Sequence, residues 1–310
     1  MRILLTGSSG WLGQTLAPRL RALGHTVVGL DPVASAETAI VGSVADRATV
    51  RAAIGDHRIQ AVIHSGALHQ PNIAHHPREA FVAVNVSGTL NLLEESVAQG
   101  VERFVFTSTT SLMISERIRA GASGGARRAE WLTEVAPLEP RNIYGVTKLT
   151  AEQLCRLTHR EHGLPVVVLR TARFFPEADD MAHAIEQSDE NTKTNELLYR
   201  RLTVEDAAEA HVRALDRAAE IGFDIFIISA MPPFSPDDRE ALIGRAPQVV
   251  ARYFPAYPAI YAARGWTMFD TIDRVYDPSH AARRLGFVCR TGFGERLAQL
   301  ARERPYTSGL

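Results

Sequence analysis

Tyr144 and Lys148 lie four residues apart in the stretch from Asn142 to His162, whose spacing of apolar positions predicts one long helix. At that separation two side chains share a helix face, so the phenol and the ammonium point the same way. A neighbouring cation favours the phenolate and should draw the tyrosine down from its usual value of about 10. A phenolate so placed can take a proton from a substrate hydroxyl while hydride leaves for an acceptor. On its own such a pair is commonly an exposed surface couple. It gains meaning from Thr107-Ser108-Thr109-Thr110-Ser111, a hydroxyl cluster that ends the apolar run Phe104-Val105-Phe106. A hydroxyl there can hold the reacting oxygen beside the tyrosine. A hydroxyl-rich turn is the plainer account, and spacing does not choose among the members.

The hydride acceptor is indicated by the first thirteen residues. Ile3-Leu4-Leu5 reads as a buried strand that stops at Thr6, and Gly7, Gly10 and Gly13 follow at intervals of three. Trp11, Leu12, Leu16, Leu20 and Leu23 then recur at helical spacing. Strand, glycine turn and helix form the opening of a dinucleotide-binding unit. There one glycine permits the turn, one admits a pyrophosphate to backbone N–H groups, and one lets helix pack on strand. A second strand, Thr26 to Leu30, ends at Asp31. An acid at that place accepts both ribose hydroxyls and repels a 2′-phosphate, which selects NAD over NADP. Taken singly, the glycines could belong to a Gly/Ser loop and Asp31 to a turn before Pro32.

Strand-like and helix-like stretches continue to alternate. Val44 to Ile54 reads as a helix and Ala61 to His64 as a strand. Pro77 to Gln99 gives one or two helices, and Pro165 to Leu169, Val204 to Ala219 and Phe223 to Ser229 follow as strand, helix and strand. The expected fold is α/β, a Rossmann-type doubly wound parallel sheet with a small C-terminal α/β substrate lobe. Ligands of such sheets bind beyond the carboxyl ends of the strands. His64-Ser65-Gly66-Ala67, Ser108-Thr109 and Arg170-Thr171 should therefore face one crevice. We divide the chain into a dinucleotide domain, 1–172, to which 203–230 returns, and a lobe of 173–202 and 231–310. Ala120 to Ala129, rich in Gly, Ala, Ser and Arg, reads as a mobile loop near the crevice. Its arginines, with Arg117 and Arg119, could meet an anion, though a solvated loop is the simpler account.

Bulk properties narrow the classes. The 310 residues are 45% hydrophobic, enough for a full core. A net charge of −1 provides no general field for nucleic acid. No apolar run reaches the roughly 18 residues of a membrane span, and no signal peptide opens the chain. Cys155 and Cys289, the two cysteines, form neither a metal pattern nor a disulfide framework. A cytoplasmic protein without a metal is expected.

The chain resembles the extended short-chain dehydrogenase/reductases, specifically the NAD-dependent epimerase/dehydratase family that includes UDP-galactose 4-epimerase. Thr6 to Gly13 is similar to its TGxxGxxG. Val62-Ile63-His64-Ser65-Gly66-Ala67 resembles its cofactor-walling strand, and Asn85-Val86-Ser87-Gly88-Thr89 its NVxGT, whose Asn supports the active-site strand. Tyr144 and Lys148 fall on its YxxxK. Leu169 to Pro176 and Val204 to His211 resemble the segment entering the substrate lobe and the VxDxAxAH helix. The resemblance implies Tyr144 as base and acid, Lys148 as its partner and a ribose ligand, and Thr109 as the catalytic hydroxyl with Ser108 beside it. It implies NAD contacts from Gly7, Ser9, Gly10, Trp11, Leu12, Gly13, Asp31, Ser43, Val44, Ser65, Gly66, Ala67, Asn85 and Thr107, together with Tyr144 and Lys148. Thr109, Thr110 and Arg173 would meet the substrate. A homodimer, joined through helices near Asn85–Gln99 and Asn142–His162, follows from the same resemblance.

Two departures bear on the reaction. Ser43 stands where the family has an adenine-contacting Asp, and Asp46 reads as a helix N-cap. Only residues 176–203 separate Phe175 from the VxD helix. They are acidic at Glu177-Ala178-Asp179-Asp180 and at Asp189-Glu190, and Tyr199 stands near the family's diphosphate-binding Arg. Arg252 and Arg264 could offset those acids. The expected activity is NAD-dependent oxidation of a secondary alcohol of a sugar or sugar derivative, of the nucleotide sugar 4-epimerase type. A dehydrogenase of a free sugar, a uronate or another small hydroxy compound is the alternative, followed by a non-catalytic NAD sensor.

Overall fold

A computed structural model of the chain describes residues 1–175 and 187–303. The expected acidic patch at Glu177–Asp180 lies outside the described residues. The β-branched and aliphatic runs form strands β1 (Arg2–Thr6), β2 (Thr26–Asp31), β3 (Ile40–Val41), β4 (Ala61–His64), β5 (Arg103–Thr109), β6 (Glu130–Leu132), β7 (Val166–Thr171), β8 (Phe223–Ile228) and β9 (Arg274–Tyr276). Seven of them make one parallel sheet in the order β3-β2-β1-β4-β5-β7-β8. The order reverses between β1 and β4, which opens a crevice at their carboxyl ends. β6 and β9 form a separate parallel pair.

Alternate residues of each strand serve the two faces. Ile3, Leu5, Ile63, Val105, Val167 and Leu169 face one core, shared with α1 (Trp11–Ala22) and, later in the chain, α8 (Val204–Ile221). Leu4, Val62, Phe104, Phe106, Val166 and Val168 face the other. It is covered by α2 (Arg47–Asp56), α4 (Gly88–Ala98) and α6 (Ile143–His162), with short α3 (Arg78–Phe81) leading into α4. These helices bury both faces, which explains why β4 and β7 are continuously apolar or buried. The segment expected as one or two helices is α3, a π-turn over Val82–Ser87 and α4. Asp46 caps α2 by accepting from Ala48 N.

A third core joins Leu197, Leu198, Phe234, Leu242, Val250, Tyr257, Tyr261 and Phe293. It lies among α7 (Asp189–Glu196), α9 (Ala246–Tyr253), α10 (Tyr257–Ala262) and α11 (Phe293–Arg302), and it includes Val275 of β9. The segment expected to be a mobile loop is instead partly helical. Ser115 caps α5 (Glu116–Ala120), a 3-10 turn covers Gly121–Gly124, and Arg117 pairs with Glu130.

Candidate active site

The long helix α6 begins where Asn142, in extended conformation, accepts a hydrogen bond from Gly145 N, and it ends at left-handed Gly163. A Cβ on Gly145 would come within 2.8 Å of Pro140, so the entry to the helix is tight. Tyr144 and Lys148 therefore share one face of its first two turns. The Thr109 hydroxyl at the end of β5 is placed to favour the ionised form of the Tyr144 phenol. Thr109 Oγ1 also lies 3.0 Å from Ser111 Oγ and accepts from Ser111 N. Three hydroxyls thus converge where only the first two were expected to act. The Lys148 ammonium stands 4.2 Å from the centroid of the Phe106 ring.

One expectation is corrected. The lysine was to make the phenol acidic, but burial dominates and pushes Tyr144 up to about 12, with the Thr109 hydroxyl opposing it. Burial also depresses Lys148 from 10.5 to about 8, against the pull of Cys155 and Glu152. Below pH 8 the folded protein bears the whole cost of this buried cation. Between pH 8 and 10.5 the unfolded chain binds more protons, so that cost fades as pH rises. Lys148→Met should therefore stabilise the protein at pH 7 by on the order of 3 kcal/mol, with the gain gone above about pH 10.5. Denaturant unfolding of both proteins at pH 7 and at pH 10.5 checks this. An equal difference at the two values would refute it.

The glycine turn has the shape a dinucleotide requires. Gly7 has φ +74°, and a Cβ on it would lie 2.7 Å from Gly66 N. A Cβ on Gly13 would drive into the Gly7 carbonyl. Gly10, by contrast, faces open space apart from the Gly7 oxygen at 3.3 Å. Gly10 precedes α1, whose first turn has no side-chain cap and no acidic residue. Its N–H groups are thus available to a pyrophosphate. Asp31 accepts hydrogen bonds from Ser9 N and Val33 N, which holds its carboxylate across the turn from Gly10. These residues fit NAD.

The side chains of the other expected residues have partners of their own. Ser108 is buried and donates to Glu152 Oε1 at 2.5 Å. The Thr107 hydroxyl donates to His211 Nε2 on α8, and Thr110 donates to the Thr171 carbonyl. Ser65 donates to Thr6 O, and Ser43 accepts from Ala45 N. Val44 is buried, Trp11 is half exposed, and Gly66 packs on the Gly7 turn. Asn85 does not hydrogen-bond to β5. It binds Leu68 N and O after β4 and donates to Thr147 Oγ1 on α6. Arg173 joins the backbone of Arg200 and Leu202, beyond the carboxyl end of β7. Arg252 pairs with Asp238, and Arg264 donates to the Leu300 and Glu303 carbonyls, so both serve the packing of the third core's surroundings. Tyr199 is buried against Phe269.

Glu152 escaped the sequence reading. It is fully buried one turn beyond Lys148, and Arg170 of β7 grips it with Nε and Nη2 at 3.0 and 2.8 Å. The available signal was an acid on the inward stripe of α6, between Ala151 and Cys155, which calls for a buried cation. Among the described residues no metal-binding cluster occurs and no helix is long and apolar enough to cross a membrane.

Residues 3–228 match the NAD dependent epimerase/dehydratase family. The chain is 28% identical over 178 residues to the UDP-glucose 4-epimerase of Azospirillum brasilense, a match covering 54% of this chain and 48% of that one. It is 26% identical over 186 residues to the uronate dehydrogenase of Pseudomonas putida, covering 58% and 63%. Each match spans less than two thirds of the relative's own length. Among solved structures, a short-chain dehydrogenase/reductase superfamily protein from Agrobacterium tumefaciens with bound NAD superposes with a TM-score of 0.65. It is 24% identical and the match covers 97% and 96% of the two chains. The seven-stranded sheet, the glycine turn and the span of the family match lead to one conclusion: the chain belongs to the NAD dependent epimerase/dehydratase family.

Proposed function

We propose that the protein oxidises a secondary alcohol of a sugar or sugar derivative, with Tyr144 as the proton acceptor and donor. The observation that carries this reading is Tyr144 and Lys148 on one face of the first turns of α6, with the Thr109 hydroxyl at the end of β5, two strands from the glycine turn. A substrate hydroxyl between Tyr144 and Thr109 would give its proton to Tyr144 in its phenolate form and be held by Thr109. NAD, when bound, accepts the hydride and can return it. Gly10 and the first turn of α1 would hold the pyrophosphate, Asp31 the adenosine ribose and Lys148 the nicotinamide ribose. Residues 173–202 and 231–310 form the substrate lobe, with Arg173 at its entrance.

Epimerase and dehydrogenase use the same residues and differ in whether the ketone stays. The relatives include both, a UDP-glucose 4-epimerase and a uronate dehydrogenase. The absorbance of reduced nicotinamide separates them. NADH should accumulate with a free sugar or uronate if the ketone leaves. A nucleotide sugar converted to its epimer without net NADH marks an epimerase. A protein that binds NAD and turns over neither class would defeat the proposal. A homodimer is also proposed, through Val82 in the π-turn, Leu90 on α4, and Val146 and Leu157 on α6. These apolar side chains stay exposed on packed helices.

A further inference from the structure

The buried polar atoms between the glycine turn and α6 form one continuous chain. Gly66 N donates to Thr6 Oγ1 at 3.1 Å, and Thr6 Oγ1 lies 2.7 Å from His64 Nδ1. On the other side of the ring, His64 Nε2 lies 3.0 Å from Thr89 Oγ1, which donates to the Asn85 carbonyl at 2.7 Å. Asn85 in turn donates through Nδ2 to Thr147 Oγ1 at 3.0 Å, between Tyr144 and Lys148 on α6. His64 is 1% exposed, wedged against Phe104 and Phe106.

The direction of every hydrogen in this chain follows from its ends. A carbonyl only accepts, so the Thr89 hydroxyl must spend its proton on Asn85 O. It can then only accept from His64, whose Nε2 must carry a hydrogen. Burial, reinforced by the Lys148 charge, holds His64 well below its ordinary value, so the ring is neutral and Nδ1 bears a lone pair. Thr6 therefore donates to Nδ1 and accepts from Gly66 N. The polarity runs one way, from the cofactor turn to the catalytic helix, and the bonds from Gly66 to the Asn85 carbonyl strengthen one another; Asn85 then passes the link on covalently to its own side-chain amide.

We infer that His64 is a positioning residue whose two ring nitrogens serve two different sites, Nδ1 fixing the turn that holds the cofactor and Nε2 fixing the helix that carries Tyr144 and Lys148. This rests on the reading of α6 as the catalytic helix. Without the ring, the Thr6 hydroxyl hydrogen would lack an acceptor and the Thr89 oxygen would lack a donor, in a dry core. The Gly66 loop and the π-turn that carries Asn85 would then settle independently.

Two substitutions separate the two ends. An asparagine amide oxygen can stand in for Nδ1, and a glutamine amide nitrogen for Nε2. His64→Gln should keep the Thr89 bond and lose that from Thr6. Its NAD dissociation constant, measured by calorimetry, should rise about fivefold or more. Amide exchange should quicken at Gly66 but not in the first turns of α6. His64→Asn should do the reverse, with NAD affinity near that of wild type and faster exchange at residues 144–148. Nitrogen-15 NMR of the wild-type protein without NAD should show the Nε2–H tautomer. The inference is overturned by the Nδ1–H form, by two variants that change both places alike, as a plain core histidine would, or by variants that change neither. Should either variant fail to fold, Thr6→Val and Thr89→Val test the same two ends under the same criteria. Affinity, exchange and tautomer need no turnover, so a failure here is separable from a failure of the proposed reaction.

Discussion

Tyr144→Phe is expected to lower turnover by about 10²- to 10⁴-fold while leaving NAD bound. The phenol ring packs at the head of α6 and its ionised oxygen is favoured by the Thr109 hydroxyl, whereas the glycine turn and Asp31 lie across β1 and β2. Removing one oxygen therefore deletes the proton acceptor without disturbing the turn. Steady-state rates with calorimetry of NAD binding distinguish this from the alternatives. A non-catalytic NAD sensor would respond equally with either residue. A fall in NAD affinity as large as the fall in rate would show that the phenol acts as a cofactor ligand instead.

Glu152→Ala should cost about 3–5 kcal/mol of stability, because it strands the Arg170 guanidinium in the core. The pair has no solvent to fall back on, since Glu152 and Arg170 are 0% and 2% exposed. Ser108 would lose its acceptor in the same step. Replacing both ions, as in Glu152→Leu with Arg170→Met, removes the stranded charge and should recover most of that loss. Chemical denaturation of the three proteins tests the idea. A double variant no more stable than Glu152→Ala would show that packing, and not the unpaired cation, sets the cost. The pair also joins α6 to β7 directly behind Lys148. The same single substitution should therefore loosen the catalytic helix.

The main sheet was legible because its signals are local. β1, the glycine turn and α1 are contiguous, and a buried strand such as Ala61–His64 opens on the apolar run Ala61-Val62-Ile63. The parallel β6–β9 pair was not legible. Its two three-residue strands lie far apart in sequence, so no local period announces them. In the site, Tyr144 and Thr109 came together as their positions suggested. Ser108, Thr107 and Thr110 did not join them, because each hydroxyl meets a partner brought by a distant element: Glu152 of α6, His211 of α8 and Thr171 of β7. Spacing along one strand cannot reveal which neighbour will claim a hydroxyl. The tyrosine's acidity was misjudged for a related reason. Four-residue spacing gives the proximity of Lys148 but not the burial that outweighs it.

That correction sharpens the central claim. Desolvation pushes the phenol up to about 12, above the range of a base at neutral pH, and a cation bound beside it, as oxidised nicotinamide would be, should draw it down. Ultraviolet difference titration of tyrosinate, wild type against Tyr144→Phe, with and without NAD, tests this directly. The account predicts that the Tyr144 phenol titrates near 12 in the free protein and at a clearly lower pH once NAD is bound. A titration that NAD leaves in place would contradict it.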